Sequence, residues 1–326
     1  MKRLDIRALR DEAYHILDES DGDVAVLQAM EALEKSPKDV ESFLRLGELA
    51  EEKERYDKAL VWINQGLLQH PASEALLLKK ASLLLDGFEE VDEAYAILVE
   101  LKSLFGEDIS AIKKKFDLEI VLDTYLLLTD CYRLKYQYKD AFLYAKLACV
   151  LAPSDEDALL ALATAHFELG DYEAALQKIE PIDTRKNQCD FYWLKAQILC
   201  ASGDCALADD TFALANKIDK NRYHRPIRMS QSCFFSALEQ AILALPKEIR
   251  DFINGVAVEI KDVLPREIII QKSGTISPMA CVYYKEENKT PTIYLFQRTI
   301  ENLAFKKSEV RDLIASALLH ELLAII

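Results

Sequence analysis

The sequence predicts an all-α solenoid of helical repeats followed by a small α+β domain. Two observations lead to this prediction. Residues recur at intervals of 34 over the first two thirds of the chain, and short β-branched and aromatic runs replace that period in the last third. At 326 residues, of which 51% are hydrophobic and 29% charged, the chain is long enough for two domains with sizeable cores.

The repeats are defined by residue pairs that lie 34 positions apart. These pairs are Pro37 and Pro71, Tyr138 and Tyr172, and Ala141 and Ala175. Aligned on them, the repeats begin near Ile6, Val40, Glu74, Leu122, Glu156 and Cys189. Residues 109–121 fall outside the period and are predicted to form a helical extension. One such repeat cannot bury its apolar face alone, so neighbouring repeats are expected to stack on a continuous core.

The repeat that starts at Val40 shows the pattern most fully. It carries small residues at Gly47 and Ala59, where two antiparallel helices touch, and Tyr56 to fill the gap to the next hairpin. Pro71 ends the second helix, because proline lacks the N–H donor and clashes with the preceding turn. In these features residues 6–222 resemble the tetratricopeptide repeat, a helix-turn-helix unit, and about six repeats are expected.

The resemblance implies an inner groove that holds a protein or peptide partner. The second, fifth, ninth and twelfth residues of each repeat should face it, which makes the groove acidic with apolar spots. These positions include Glu41, Leu44, Glu48, Asp123, Leu126, Asp130, Phe167, Asp190 and Trp193. The Lys and Asn residues with which related domains hold acidic chaperone tails are missing. We therefore expect a basic or apolar partner segment, although the acids could equally serve only to solvate the surface.

The charge of the chain narrows the choice of partners. Lys and Arg number 40 against 55 Asp and Glu, so the formal charge is −15 and the isoelectric point is near 4.9. Such a balance argues against nucleic acid and anionic lipid. The first residues contain no apolar signal-peptide core, and no run of 18 apolar residues occurs. We expect a cytoplasmic protein that does not span a membrane.

Beyond residue 222 the pattern changes from helical repeats to helices that flank strands. Phe234–Leu245 is predicted to be an amphipathic helix closed by Pro246, and a helix that carries His320 and Glu321 is predicted to begin at Ser308 as N-cap. Between them, four runs rich in β-branched and aromatic residues predict strands. These are Val256–Ile260, Ile268–Ile270, Ala280–Tyr284 and Thr292–Phe296.

Residues 233–323 resemble the minimal zincin-like metallopeptidase family of bacteria. The resemblance rests on a leading helix that ends in Leu245-Pro246, the strand segment Asn254–Pro265, the strand segment Thr292–Glu301 and the helix segment Ala317–Leu322. It implies a small α+β zincin-like domain over residues 233–326 and, for the family, a zinc cofactor held by the motif His-Glu-x-x-His.

On this resemblance His320 is the first metal ligand and Glu321 is the general base. Leu323 stands where the family has Gly, and Ala324 stands where it has the second His. A third ligand is absent from the sequence, and a catalytic zinc site uses three protein ligands. We therefore expect this chain neither to bind zinc nor to hydrolyse peptides with it. A shifted reading frame, an artificial truncation and ordinary degeneration remain open as explanations of the ending.

Two functions follow from the sequence. The first is a member of the metallopeptidase family whose repeats recruit a protein partner or substrate and whose ancestral zinc-dependent peptide hydrolysis is lost or truncated in this chain. The alternative is a purely non-catalytic interaction scaffold.

Overall fold

The computed structural model describes residues 24–36, 39–182, 188–264, 281–285, 290–323 and 325. Their contacts divide the chain into two compact units, Met1–Pro153 and Ser154–Ile326. The predicted domains, 6–222 and 233–326, divide the chain by sequence pattern instead, and that assignment stays a prediction. The first helix of the repeat that begins near Ile6 lies outside the described residues.

The first compact unit is built from helices that pair in antiparallel hairpins. They are α1 (Val24–Lys35), α2 (Val40–Glu51), α3 (Tyr56–Gln69), α4 (Glu74–Phe88), α5 (Val91–Phe105), α6 (Ile109–Lys115), α7 (Leu118–Leu134) and α8 (Tyr138–Leu151). Helices α2 and α3, α4 and α5, and α7 and α8 form the pairs that the 34-residue period predicts. The predicted helical extension is the separate short helix α6, and α7 begins four residues before the predicted repeat start at Leu122.

Aspartate caps and close helix contacts explain why these hairpins form. Asp39 and Asp117 cap α2 and α7 by accepting hydrogen bonds from the backbone N–H groups of Ser42 and Glu119, each at 3.0 Å. A Cβ at Gly47 would lie 2.8 Å from Ile63 Cδ1, so the absence of a side chain lets α2 approach α3. The predicted role of Gly47 at a close helix contact is thus confirmed.

Tyr56 contacts the neighbouring hairpin, as the repeat pattern predicts. Its ring packs on the backbone of α4 at Gly87, where an added Cβ would lie 2.5–2.6 Å from Tyr56. Below this contact the core contains Phe43, Trp62 and Leu76, each fully buried. One core cluster therefore joins the hairpin of α2 and α3 to α4 of the next hairpin.

The second compact unit continues with two further hairpins and then a sheet. The hairpins are α9 (Glu156–Glu168) with α10 (Tyr172–Ile179) and α11 (Gln188–Ala201) with α12 (Cys205–Ile218). After them come α13 (Gln231–Ala244), α14 (Lys247–Ile253), β1 (Ala257–Lys261), β2 (Cys281–Tyr284), β3 (Thr292–Phe296), α15 (Gln297–Leu303), a 3₁₀ turn (Lys307–Glu309) and α16 (Val310–Leu323).

Three described strands form a sheet in the order β1-β3-β2. Strand β1 is parallel to β3, with Ala257 opposite Thr292, and β2 is antiparallel to it, with Cys281 opposite Leu295. Helices α13 and α16 cover the sheet through a core that includes Phe234. The small α+β region that the sequence predicts is thus present, while its zincin-like identity stays a prediction.

The strand predictions are confirmed at three of four places, with Ile268–Ile270 outside the described residues. The strand segment Thr292–Glu301 was predicted too long, because the chain turns into α15 after Phe296. In that helix Gln297 and Glu301 lie one turn apart and are hydrogen-bonded at 2.7 Å. Helix α14 was not predicted at all.

The predicted N-cap Ser308 is also wrong. Ser308 lies inside the 3₁₀ turn that precedes α16, and the cap of that turn is Lys306. The side chain that satisfies the open N–H groups there is Glu309, which accepts from Phe305 N at 2.9 Å and from Lys306 N at 3.2 Å.

Candidate functional site

A cavity of about 610 Å³ opens on one face of the first compact unit. Helices α2, α4 and α7, each the first helix of its hairpin, supply its walls. The lining residues are Glu41, Leu44, Glu48, Ala75, Leu78, Lys79, Ser82, Asp117, Glu119, Ile120, Asp123, Leu126 and Leu127. Five of the nine residues that the sequence predicts for the groove therefore line one cavity: Glu41, Leu44, Glu48, Asp123 and Leu126.

The lining carries five carboxylates and one ammonium group. The ammonium group belongs to Lys79, which forms an ion pair with Glu51 outside the cavity. Glu48 in turn accepts from Arg45 Nη1 at 3.1 Å. With five carboxylates against one ammonium group, the cavity wall has an excess of negative charge, and between the acids lie leucine and isoleucine side chains.

Some of these lining residues were missed by the sequence analysis. Ala75 and Leu78 occupy the second and fifth places of the repeat that starts at Glu74, so the same positional rule would have found them. Asp117, Glu119 and Ile120 precede the predicted start of their repeat. They reach the cavity because α7 begins at Leu118, and the capping aspartate was the available signal.

Asp130, another predicted groove residue, lies on α7 but not among the residues that line the cavity. Its side chain is half exposed and accepts from Arg133 Nη1 at 3.1 Å. The surrounding protein raises the pKa of the Asp130 carboxyl by desolvation, Arg133 lowers it, and Asp86 adds to the increase.

Phe167 belongs to the core of the second compact unit. It is 6% exposed and packs on Tyr172, with ring centroids 5.9 Å apart. The sequence predicts that Phe167 faces the groove, but its side chain is buried in a core cluster with Ile179 and Phe191.

Asp190 and Trp193 both lie on α11, and residues that follow the last repeat contact both of them. The Tyr223 hydroxyl donates a hydrogen bond to Asp190 Oδ1, and Arg222 Nη2 lies 3.0 Å from the same oxygen. The Trp193 ring packs on Tyr223 at 5.1 Å and on His224 at 5.5 Å between centroids. This face of the last repeat is therefore covered by residues 222–224.

Burial raises the pKa of Tyr223, and its hydrogen bond to Asp190 raises it further. The hydroxyl therefore stays protonated and can donate to the carboxylate. Asn216 Nδ2 adds a hydrogen bond of 2.7 Å to the Tyr223 carbonyl. The segment is thus held by its backbone as well as by its side chains.

His320 and Glu321, the predicted zinc ligand and general base, lie near the end of α16. His320 is exposed, and the Glu321 carboxylate accepts from Tyr283 N of strand β2 at 2.8 Å. Ala324, at the position of the second ligand, lies outside the described residues. Among the residues that are described, no group of three His, Cys, Asp or Glu side chains could hold a metal ion. These residues do not fit a catalytic zinc site.

The paired helices form the stacked helix-turn-helix hairpins that the 34-residue period predicts. A sequence family described as anaphase-promoting complex, cyclosome, subunit 3 matches residues 134–206, which run from the end of α7 into α12. No curated protein matches the chain. The predicted array of helical hairpins is confirmed, and the family match supports the tetratricopeptide assignment over residues 134–206. The resemblance of residues 233–323 to the metallopeptidase family stays a prediction.

Several solved structures are similar to the chain. Pseudomonas aeruginosa pilF is 15% identical over 66% of this chain and 92% of its own, with a TM-score of 0.49. TTC0263, a thermophilic TPR protein of Thermus thermophilus, is 18% identical over 56% and 92%, with a TM-score of 0.46. YrrB, described as a TPR protein with an unusual peptide-binding site, is 14% identical over 59% and 93%, with a TM-score of 0.40.

Across the described part of the chain, no helix is long and apolar enough to cross a membrane.

Proposed function

We propose that this tetratricopeptide protein binds a partner polypeptide in the cavity formed by α2, α4 and α7. The partner segment carries Lys or Arg residues among apolar ones. The observation that carries this proposal is the cavity wall itself, where five carboxylates surround one lysine that already has its own carboxylate partner.

The charge of the wall supports a cationic partner. A Lys or Arg side chain that enters the cavity meets several carboxylates inside the screening length of physiological salt, which is about 8 Å. An acidic segment would meet repulsion from the same groups. Complementary charge of this kind favours the correct partner and speeds encounter.

The apolar part of the wall supports apolar partner residues between the cations. Leu44, Leu78 and Leu126 are each only partly buried in the free chain, and all three line the cavity. A partner side chain that covers them removes apolar surface from water, which contributes roughly 25 cal/mol per Å². The charge of the wall determines which segments associate with it, and contact with the leucine side chains contributes to their affinity.

The test uses the full chain and two peptides of equal length. One is Lys-Leu-Ser-Lys-Leu-Ser-Lys, and the other replaces each Lys by Glu. We expect the first to bind, and the double variant Glu41→Lys with Asp123→Lys to bind it about tenfold more weakly or worse, because two attractive contacts become repulsive. Binding is measured by fluorescence anisotropy of labelled peptides.

A matched control makes the same charge change elsewhere. Glu100→Lys with Glu107→Lys alters two exposed acids of the first compact unit that do not line the cavity. This control should keep the wild-type affinity. An equal loss in both double variants would show that overall charge, not the cavity, governs binding and would contradict the proposal.

We propose as a second, separate role that residues 233–323 are a metallopeptidase-like domain that no longer hydrolyses peptides. What favours the likeness is that helix α16, which carries His320 and Glu321, packs on strand β2. The described residues supply too few ligands for zinc, so we expect no zinc-dependent hydrolysis from this chain.

Metal analysis of the purified chain tests this second role. The chain should contain no stoichiometric zinc, and Ala324→His, which places two histidines at i and i+4, should increase zinc affinity. Arg311→His is the control, since it adds a histidine at an exposed position of the same helix but more than two turns from His320, too far to share a metal ion with it. Stoichiometric zinc in the natural chain that is lost on His320→Ala would show that ligands come from residues outside the described ones.

A further inference from the structure

Four repeats carry the same kind of side-chain pair on their first helix. The pair is an acid at the second place of the repeat and an apolar residue at the fifth place. The pairs are Glu41 with Leu44, Asp123 with Leu126, Asp157 with Leu160, and Asp190 with Trp193. Residues three apart lie on one side of a helix, so each pair presents one carboxylate beside one apolar surface.

In the last repeat this pair has an occupant, which is the chain itself. Asp190 binds the Arg222 guanidinium at 3.0 Å and accepts a hydrogen bond from the Tyr223 hydroxyl. Trp193 contacts the Tyr223 ring, and the Arg222 guanidinium lies 5.3 Å from the centroid of the same ring. Tyr223 is only 7% exposed as a result.

Two of the other pairs lie in the first compact unit and line the open cavity. Glu41, Leu44, Asp123 and Leu126 all contribute to its wall. They offer the same chemistry as Asp190 with Trp193, namely a carboxylate for a guanidinium or a phenol and an apolar surface for a ring. A planar guanidinium suits a carboxylate, and tyrosine combines an apolar ring with a polar end.

We propose that the cavity recognises an arginine followed directly by a tyrosine in the partner, and that Arg222–Tyr223 is an internal example of this ligand. The inference rests on the proposed function and makes it more specific. In addition to positive charge and apolar character, each acid and apolar pair selects the hydroxyl and the ring of a tyrosine.

The test adds peptides that copy the internal segment to the full chain. The probe is Lys-Asn-Arg-Tyr-His-Arg-Pro, the sequence of residues 220–226. A second peptide has Leu in place of Tyr and so keeps the charge and an apolar side chain, and a third has Ala in place of the first Arg. Affinities are measured by isothermal titration calorimetry.

We expect the first peptide to bind about tenfold more tightly than either replacement, as for the loss of one good hydrogen-bonded contact. The double variant Glu41→Gln with Asp123→Asn should abolish this preference, while Asp190→Asn should keep it. Loss of the preference only in Asp190→Asn would show that the peptide displaces residues 222–224 from α11, and that result would overturn the proposal.

The two proposals can fail separately. Equal binding of the Tyr and Leu peptides, lost in the Glu41→Lys with Asp123→Lys variant, would overturn the Arg–Tyr preference and leave the basic and apolar partner standing. Failure of these peptides together with Lys-Leu-Ser-Lys-Leu-Ser-Lys to bind at millimolar concentration would overturn both.

Discussion

Helices α2, α7 and α11 are each the first helix of a hairpin, and they carry equivalent pairs of side chains in different surroundings. On α2 and α7 the acid and apolar pairs line an open cavity, whereas on α11 the same kind of pair is covered by residues 222–224. The covered pair contributes to the stability of the fold through its contacts with residues 222–224, and we expect the pairs at the cavity to contribute less, since their apolar members are only partly buried. One repeat position can therefore line an open cavity in one place and be covered by the chain itself in another.

The largest difference should come from truncating an apolar group at each place. Tyr223→Ala removes a nearly buried ring from Trp193 and should lower the free energy of unfolding by about 3 kcal/mol. Leu126→Ala, at the half-buried wall of the cavity, should cost about 1 kcal/mol. Urea unfolding measures both, and equal losses would contradict the distinction between a covered and an open face.

The next effect concerns the contact of Tyr56 with Gly87, which joins two neighbouring hairpins of the first compact unit. Gly87→Ala would place a Cβ within 2.6 Å of the Tyr56 ring and should cost about 2 kcal/mol by overpacking. Gly47→Ala meets the flexible end of Ile63 at 2.8 Å, and the gain in helix propensity offsets that contact. Thermal unfolding should therefore rank Gly87→Ala as clearly less stable, and the reverse ranking would disprove the role of Tyr56.

Replacing the acid of each pair by alanine should change the free energy of unfolding by less than these substitutions do, and by different amounts at Asp190 and at Glu41. Asp190→Ala leaves the largely buried Tyr223 hydroxyl without its acceptor, at a cost of about 1–2 kcal/mol. Glu41→Ala, at an exposed position, should change the free energy of unfolding by less than about 0.5 kcal/mol. If both substitutions proved neutral in urea, the contact of Asp190 with residues 222–223 would not stabilise the chain.

The smallest expected effect has the opposite sign. Desolvation raises the pKa of Asp130 above its unfolded value, so the folded chain holds its proton more tightly than the unfolded chain does. Stability should then fall as pH rises through the raised pKa, and the penalty persists at neutral pH. Asp130→Asn should be slightly more stable than wild type at pH 7 and lose that advantage once the pH falls below the unfolded pKa. A variant that is less stable at pH 7 would show that Arg133 outweighs desolvation.

Much of the groove could be predicted because repeat position determines which side of a helix a residue faces. Glu41, Leu44 and Glu48 follow from the period of the repeat starting at Val40, and the structure places all three in one cavity wall. Asp117 and Glu119 could not follow from it, because they belong to the extension of α7 beyond the period.

The metal-site residues show a different limit. A His-Glu pair can be recognised in the sequence, but a zinc site depends on side chains from separate positions that converge. The structure brings Glu321 to the backbone of Tyr283 instead, 38 residues away along the chain. That contact depends on how α16 packs against the sheet, which no local pattern encodes.

The sequence by itself determined the helical hairpins, the three described strands and the acidic character of the groove, since these depend on local periodicity and composition. Only the tertiary structure decided that Phe167 is buried and that Asp190 and Trp193 are covered by residues 222–224. The physical reason is that periodicity specifies which face a side chain takes, whereas occupancy of that face depends on where distant parts of the chain pack.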